Sequence, residues 1–434
     1  MPTTAFTPSD TQRAAALLEA SARLLEVGES GIALAGLERA EALQSRVPQI
    51  KRARAIALAQ MERPLDAARA LMEELALSPD DGEAFRTFLG MMDRVPEIRA
   101  LPEGSFFRLL LRRMDEAVER RFAGHGHGST LQRAAQYAAL VLGHGPAFET
   151  TYAGLGDDAS RTWMLELATL VALGDERVRL PFDEEGTEEF RRLAEAQLLR
   201  QRDVSGGAVA TSGGPVDLYD LTPVGLPLRL LTSSGFLAGW AHLGQLELAR
   251  EGAHVGPRPG DVVVEGGGCL GDAALWLAHR VGPSGRVFSF EVRPEYAETF
   301  RRNLELNPGL AGRVELVAEA LHGRSGGTVA VASAGASGAT RAPTRSVDDF
   351  VRMRGLPRVD FLRLDVDGAE QDALAGAEET LRRDRPRLAI SIHHRPEDLG
   401  VVPAHVLGLG LGYRVFLGHF TPGAWQTVLY AVAD

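Results

Sequence analysis

The stretch Pro259–Val292, PGDVVVEGGGCLGDAALWLAHRVGPSGRVFSFEV, decides the fold. Val262, Val263 and Val264 are a β-branched apolar run suited to the middle of a parallel sheet. The run ends at Glu265, and Gly266-Gly267-Gly268-Cys269-Leu270-Gly271 makes the turn into an Ala- and Leu-rich helix opening near Asp272. Glycines there permit positive φ and let the main chain approach a ligand. Free amides at the helix start favour an anionic group, a carboxylate or a phosphate. A second strand, Arg286 to Phe290, delivers Glu291 to the adjacent strand end. A carboxylate there can accept hydrogen bonds from both ribose hydroxyls of a nucleoside.

Two chemistries fit this unit. Gly266, Gly268 and Gly271 match G-x-G-x-x-G, with Glu291 at the spacing of a dinucleotide fingerprint, so a nicotinamide-dependent oxidoreductase is one reading. A methyl-donor site is the other, and three features favour it. The turn is preceded by the acid Glu265, as in D/E-x-G-x-x-x-G methyltransferase loops. Phe361–Glu370, FLRLDVDGAE, reads as a fourth strand ending in acids where a substrate must sit. The chain then finishes with two strands, Tyr413 to Leu417 and Gln426 to Val432, whose short connection suits an antiparallel hairpin at the sheet edge. Class I methyltransferases close their sheet with such a reversed strand, and the dinucleotide fold does not. The expected fold is α/β: a Rossmann-like class I methyltransferase sheet with an antiparallel last strand, preceded by an all-α helical domain.

From Asp217 to Asp434 the chain resembles the FkbM family of methyltransferases. The matching segments are PGDVVVEGGGCLGDAALWLA, FSFEVRPEYAETFRRNLELN, TRSVDDF, VDFLRLDVDGAEQDALAGAEETL, PRLAISIHHRPEDL, GYRVFLGHF and WQTVLYAV, in order and at plausible spacing. Two departures stand out. The family's first acid is usually Asp and is Glu265 here. Its fourth-strand motif commonly reads K-x-D-x-E-G-x-E, where this chain has Arg363, Asp365, Asp367, Gly368 and Glu370.

The resemblance implies S-adenosyl-L-methionine as cofactor. Its methionine part would lie on the loop Glu265–Gly271, with Gly266, Gly268, Gly271 and Asp272 nearby. Glu291 would bind the ribose and Val292 would pack against adenine. Glu319 and Ala320, after a third strand Val314 to Val317, would sit at the adenine edge, and Gln245 would reach the cofactor from a capping helix. Methyl transfer is an in-line displacement at a sulfonium carbon, so the enzyme mainly aligns a nucleophile and removes its proton. Asp365 and the pair His393-His394, after a fifth strand Leu388 to Ile392, are the catalytic candidates. The same residue types suit a divalent metal that lowers a hydroxyl pKa, although no metal ligand is assigned from sequence. Because His393 and His394 are adjacent, a strand end would point them to opposite faces. Glu370 is expected to start the following helix. The family's associations point to O-methylation of a natural-product, saccharide or carrier-bound acceptor. N-methylation of a peptide and a noncatalytic methyltransferase-like scaffold are the remaining alternatives.

The rest of the chain is read from pattern alone. Of its 434 residues, 45% are hydrophobic and 24% charged, ordinary for a globular protein. The net charge of −11 argues against nonspecific nucleic-acid binding. Lys51 is the only lysine. Cys269 is the only cysteine, so no intrachain disulfide forms, and without a visible His partner it reads as a small turn residue. No apolar run reaches membrane-spanning length and MPTTAFTPSDTQ lacks a signal-peptide pattern, so a cytoplasmic location is expected. Three segments follow: an all-α helical domain over 1–204, a Gly-rich linker over 205–215, and the methyltransferase domain over 216–434. Ala57–Ala84 resembles a tetratricopeptide-type hairpin, with Ala67 and Ala68 at the close approach, Leu71 and Leu75 continuing the apolar face, Pro79 closing the helix and Pro48 ending a partner repeat. The Gly124–Gly128 segment, GHGHG, reads as an exposed turn and not a metal site. Such a helical region suits a protein partner, substrate presentation or a homodimer surface.

Overall fold

A computed structural model describes residues 9–120, 130–201, 210–211, 214–250, 252–331 and 340–433. The GHGHG segment and most of the Gly-rich stretch 205–215 lie outside these. Chain contacts divide into two compact units, one comprising Met1–Tyr152 and Leu165–Leu180, the other Ala153–Met164 and Pro181–Asp434.

The first unit is helical. Its opening helices, Asp10–Glu26, Ser30–Leu43, Pro48–Gln60, Pro64–Leu77 and Gly82–Met92, pack as successive antiparallel neighbours joined by short turns. Ala67, Ala68, Leu71 and Leu75 are fully enclosed, because small residues on one face let the neighbouring backbones approach. Pro79 does follow a helix end, whereas Pro48 opens a helix instead of closing one. Proline suits that first position because its missing N–H would be unpaired there anyway. Lys51 is buried between Glu41 and Glu73, and Arg52 bridges Glu74 and Asp81, tying consecutive helices by charge.

The second unit is built on a seven-stranded sheet. In chain order its strands are Val262–Gly266, Arg286–Phe290, Val314–Val317, Phe361–Leu364, Arg387–Ser391, Tyr413–His419 and Thr427–Ala433. Across the sheet they run third, second, first, fourth, fifth, seventh, sixth. The first five are parallel, and the seventh inserts antiparallel between the fifth and sixth. Val263 pairs with Val287 on one side and Phe361 on the other and is wholly buried, as a β-branched residue in a sheet covered on both faces should be. The strand order reverses between first and fourth strands, so their carboxyl ends diverge and open a crevice. Among the described residues, no helix is long and apolar enough to cross a membrane.

Candidate active site

The crevice holds a cavity of about 1160 Å³, lined by residues from the ends of the first, second, fourth and fifth strands and by the segment around Trp240. Its floor is the turn after the first strand. Gly267 and Gly268 donate their N–H groups to the Phe290 carbonyl (3.0 and 2.9 Å), fastening the turn to the second strand. At Gly267, φ is +83° and a Cβ would fall onto the Asp365 carbonyl oxygen, so only glycine fits. Cys269 also sits at positive φ, with its thiol pKa pushed well up by burial.

At the end of the second strand, Glu291 is buried. One carboxylate oxygen accepts from Cys269 N–H (2.7 Å), the other from Val292 N–H (2.8 Å) and Arg293 N–H (2.7 Å). Burial pushes its carboxyl above the usual range, against the pull of these amides and the Arg293 charge. Oε2, with one donor, retains a lone pair for a further one. Val292, Glu319, Ala320, Gly268, Asp272 and Gln245 line the same cavity. Asp272 accepts from Thr232 Oγ1 (2.7 Å) and Trp240 Nε1 (3.2 Å). Glu319 is held by Arg345 through Nε and Nη2 (2.8 and 2.7 Å), which lowers its pKa. Gln245 hydrogen-bonds Gln426, a residue without a sequence signal beyond its place in the last hairpin.

Glu265, Gly266 and Gly271 lie behind the cavity wall. Glu265 is fully buried, accepting from Ser289 Oγ (2.6 Å) and Arg363 Nη1 (3.1 Å). Burial raises its pKa in spite of the Arg363 charge. Arg363 in turn donates to Asp365 Oδ2 (2.9 Å), so one guanidinium links the first-strand acid to the fourth-strand acid. Burial works to raise the Asp365 pKa, but Arg363 and the two histidines outweigh it and hold the carboxylate ionised. A charge inside the otherwise apolar run FLRL was the signal for Arg363.

Asp365, His393 and His394 converge: one ligand atom from each lies within 4.8 Å of the others. The expected opposition of the two imidazoles does not occur. The fifth strand ends at Ser391, so the period-two alternation has stopped before residue 393. Both rings line the cavity, with centroids 4.2 Å apart and planes 37° from parallel. His393 Nδ1 lies 3.2 Å from the Thr427 carbonyl, and burial lowers its pKa. Thr427 reaches this end of the sheet because the seventh strand runs backwards and begins there. His394 Nδ1 lies 2.9 Å from Glu370 Oε1. Burial opposes a charged imidazole, but Glu370, Asp365 and Asp367 raise the pKa to about 9. Glu370 does open a helix, Glu370–Ala375, and is fully buried, also accepting from Val366 N–H (2.7 Å). Asp367, at positive φ, pairs with Arg293, which lies over the Tyr296 ring.

Comparison with known proteins bears on this geometry. Residues 252–415 match the methyltransferase FkbM domain. A stretch of 52 residues is 40% identical to the tRNA (adenine(57)-N(1)/adenine(58)-N(1))-methyltransferase of Methanocaldococcus jannaschii, covering 12% of this chain and 18% of that one. A stretch of 55 residues is 46% identical to the catechol O-methyltransferase of Mycobacterium tuberculosis, covering 13% and 24%. The chain thus spans less than a quarter of either curated relative. Among solved structures, a methyltransferase FkbM from Methylobacillus flagellatus is 19% identical with a TM-score of 0.42, over 69% of this chain and 62% of that one. Over residues 252–415 this chain is therefore similar to the methyltransferase FkbM domain.

Proposed function

We propose that the protein is an S-adenosyl-L-methionine-dependent O-methyltransferase acting on a natural-product, saccharide or carrier-bound hydroxyl. The observation that carries this reading is the joint presence, in one cavity, of a strand-end carboxylate, Glu291, and the cluster Asp365–His393–His394. Glu291 takes a ribose hydroxyl on Oε2, Val292 and Ala320 flank the adenine, and Gly268 and Asp272 face the methionine end. Asp272 is aimed by Thr232 and Trp240. Glu265 and Gly271 act from behind, the acid by steering Arg363 and hence Asp365.

The donor is already activated as a sulfonium, so the chain's work is alignment and removal of the acceptor proton. The acceptor oxygen approaches from the side of Asp365, His393 and His394. As the C–O bond forms, the C–S bond breaks and its pair stays on sulfur, leaving a neutral thioether. The family match and the reversed seventh strand favour this chemistry over hydride transfer. The helical unit is the module that recruits the acceptor or a protein partner. Calorimetry with S-adenosylhomocysteine and NAD in parallel tests the cofactor: the homocysteine nucleoside should bind and NAD should not. The reverse result abandons the assignment.

A further inference from the structure

We propose that Asp365, His393 and His394 are the protein ligands of a divalent transition-metal ion that binds the acceptor. Hydrogen bonding sets the tautomers. A backbone carbonyl only accepts, so the Thr427 oxygen 3.2 Å from His393 Nδ1 puts the proton on Nδ1. The same holds for His394, whose Nδ1–H donates to the Glu370 carboxylate at 2.9 Å. Each ring therefore presents Nε2 to the cavity, where an ion takes the place of the second proton that a charged His394 carries. His394 Nε2 faces Asp365 Oδ1 at 3.8 Å and Asp367 Oδ1 at 3.7 Å. These are too long for hydrogen bonds. With metal–ligand bonds near 2.1 Å, two ligand atoms stand about 3.0 Å apart at right angles and about 4.2 Å when opposed. The observed 3.8 Å falls inside that window.

The surroundings match what metal sites use to hold their ligands. A carboxylate behind a ligating imidazole fixes ring orientation and raises its basicity, and Glu370 occupies that place behind His394. Its Oε2 is buried with no hydrogen-bond partner among the described residues, so the carboxylate's pairing with His394 is its main polar commitment besides Val366 N–H. Arg363 holds Asp365 by Oδ2 and leaves Oδ1 turned toward His394. Two imidazoles and one carboxylate select first-row ions such as Mn, Fe, Co or Zn over Mg and Ca, which prefer oxygen alone.

Three protein ligands leave open positions on such an ion. An acceptor bearing a hydroxyl beside a second oxygen would fill two of them as a chelate. Coordination lowers the hydroxyl pKa, the proton leaves to solvent, and the bound alkoxide attacks the methyl carbon. This role of the ion, though not its binding, rests on the methyl-transfer reading.

The test is a Co(II) titration of chelator-treated, full-length protein, followed by visible absorption, with S-adenosylhomocysteine affinity measured alongside. One Co(II) per chain is expected, weakened at least 100-fold in Asp365→Ala and His393→Ala and about 10- to 100-fold in Glu370→Gln. S-adenosylhomocysteine affinity should persist in Glu370→Gln, which shows that the variant is folded. No stoichiometric Co(II) binding, or wild-type Co(II) affinity in Asp365→Ala, overturns the site. Displacement of Co(II) by an equal concentration of Mg2+ overturns the choice of ion. Loss of nucleoside binding by the wild type, with Co(II) still bound, would instead remove the methyltransferase reading.

Discussion

Glu370 and His394 form an enclosed carboxylate–imidazole pair, with His394 Nδ1 2.9 Å from Glu370 Oε1 and the carboxylate wholly shielded from solvent. The pair aims His394 Nε2 at Asp365, so in the proposed reaction Glu370 acts through another side chain. Glu370→Gln keeps the shape but weakens the acceptor. Turnover should fall about 10- to 100-fold with the KM for S-adenosylmethionine unchanged. A parallel rise in that KM would mean the cofactor side had collapsed instead.

Glu291 is the residue on which nucleoside affinity should depend most. A hydrogen bond to a charged group contributes about 1.5–3 kcal/mol. Glu291→Gln should therefore weaken S-adenosylhomocysteine binding by at least about tenfold, read by calorimetry. Glu291→Ala should also lower the melting temperature, since the amides of Cys269, Val292 and Arg293 lose their acceptor. Unchanged affinity in both variants would remove Glu291 from the ribose.

Arg363 neutralises two acids, Glu265 and Asp365, while itself almost enclosed. Removing one partner of a buried ion pair costs about 3–5 kcal/mol. Arg363→Ala should destabilise by that order in denaturant titration. Adding Glu265→Gln should recover part of the loss, because one of the stranded charges is gone. Strictly additive effects in this double-mutant cycle would show that the two groups are not coupled.

Gly267→Ala should cost about 2–4 kcal/mol, from positive φ together with the collision against the Asp365 carbonyl. Gly282, half-buried at the far end of the following helix and also at positive φ but with open space around its Cβ position, should lose less on the same change. Thermal unfolding of the two variants side by side checks the difference.

His419 carries a pH dependence. It is buried against Trp163, with ring centroids 5.2 Å apart, and its Nδ1 meets Thr427 Oγ1 at 2.9 Å. Burial lowers its pKa to about 4. The unfolded chain therefore binds the proton more readily, and stability from this group is complete above about pH 6.5. It is lost as pH falls toward 4, roughly 2 kcal/mol by pH 5. His419→Gln should flatten the melting temperature between pH 5 and 7. An equally steep slope in the variant would assign the effect elsewhere.

The amino-acid sequence alone determined the frame of this protein. β-Branched runs and glycine turns mark the strands, and Arg286–Phe290 and Val314–Val317 fall where periodicity puts them. The reversed closing strand and the position of Glu291 after the second strand were equally legible. These features are local: a strand is specified by its own alternation and by the turn that follows it. The tertiary structure alone decided which side chains meet. Glu265 turns inward to Arg363 because its neighbour strand lies there, not because of anything in its own segment. His393 and His394 share one cavity because the strand stops at Ser391, and a strand end cannot be read to the residue. Glu370 and Thr427, far along the chain, orient them through the strand order and the reversed seventh strand. Periodicity specifies elements, but sheet order and strand direction specify contacts, and these come from the collapse of the whole unit.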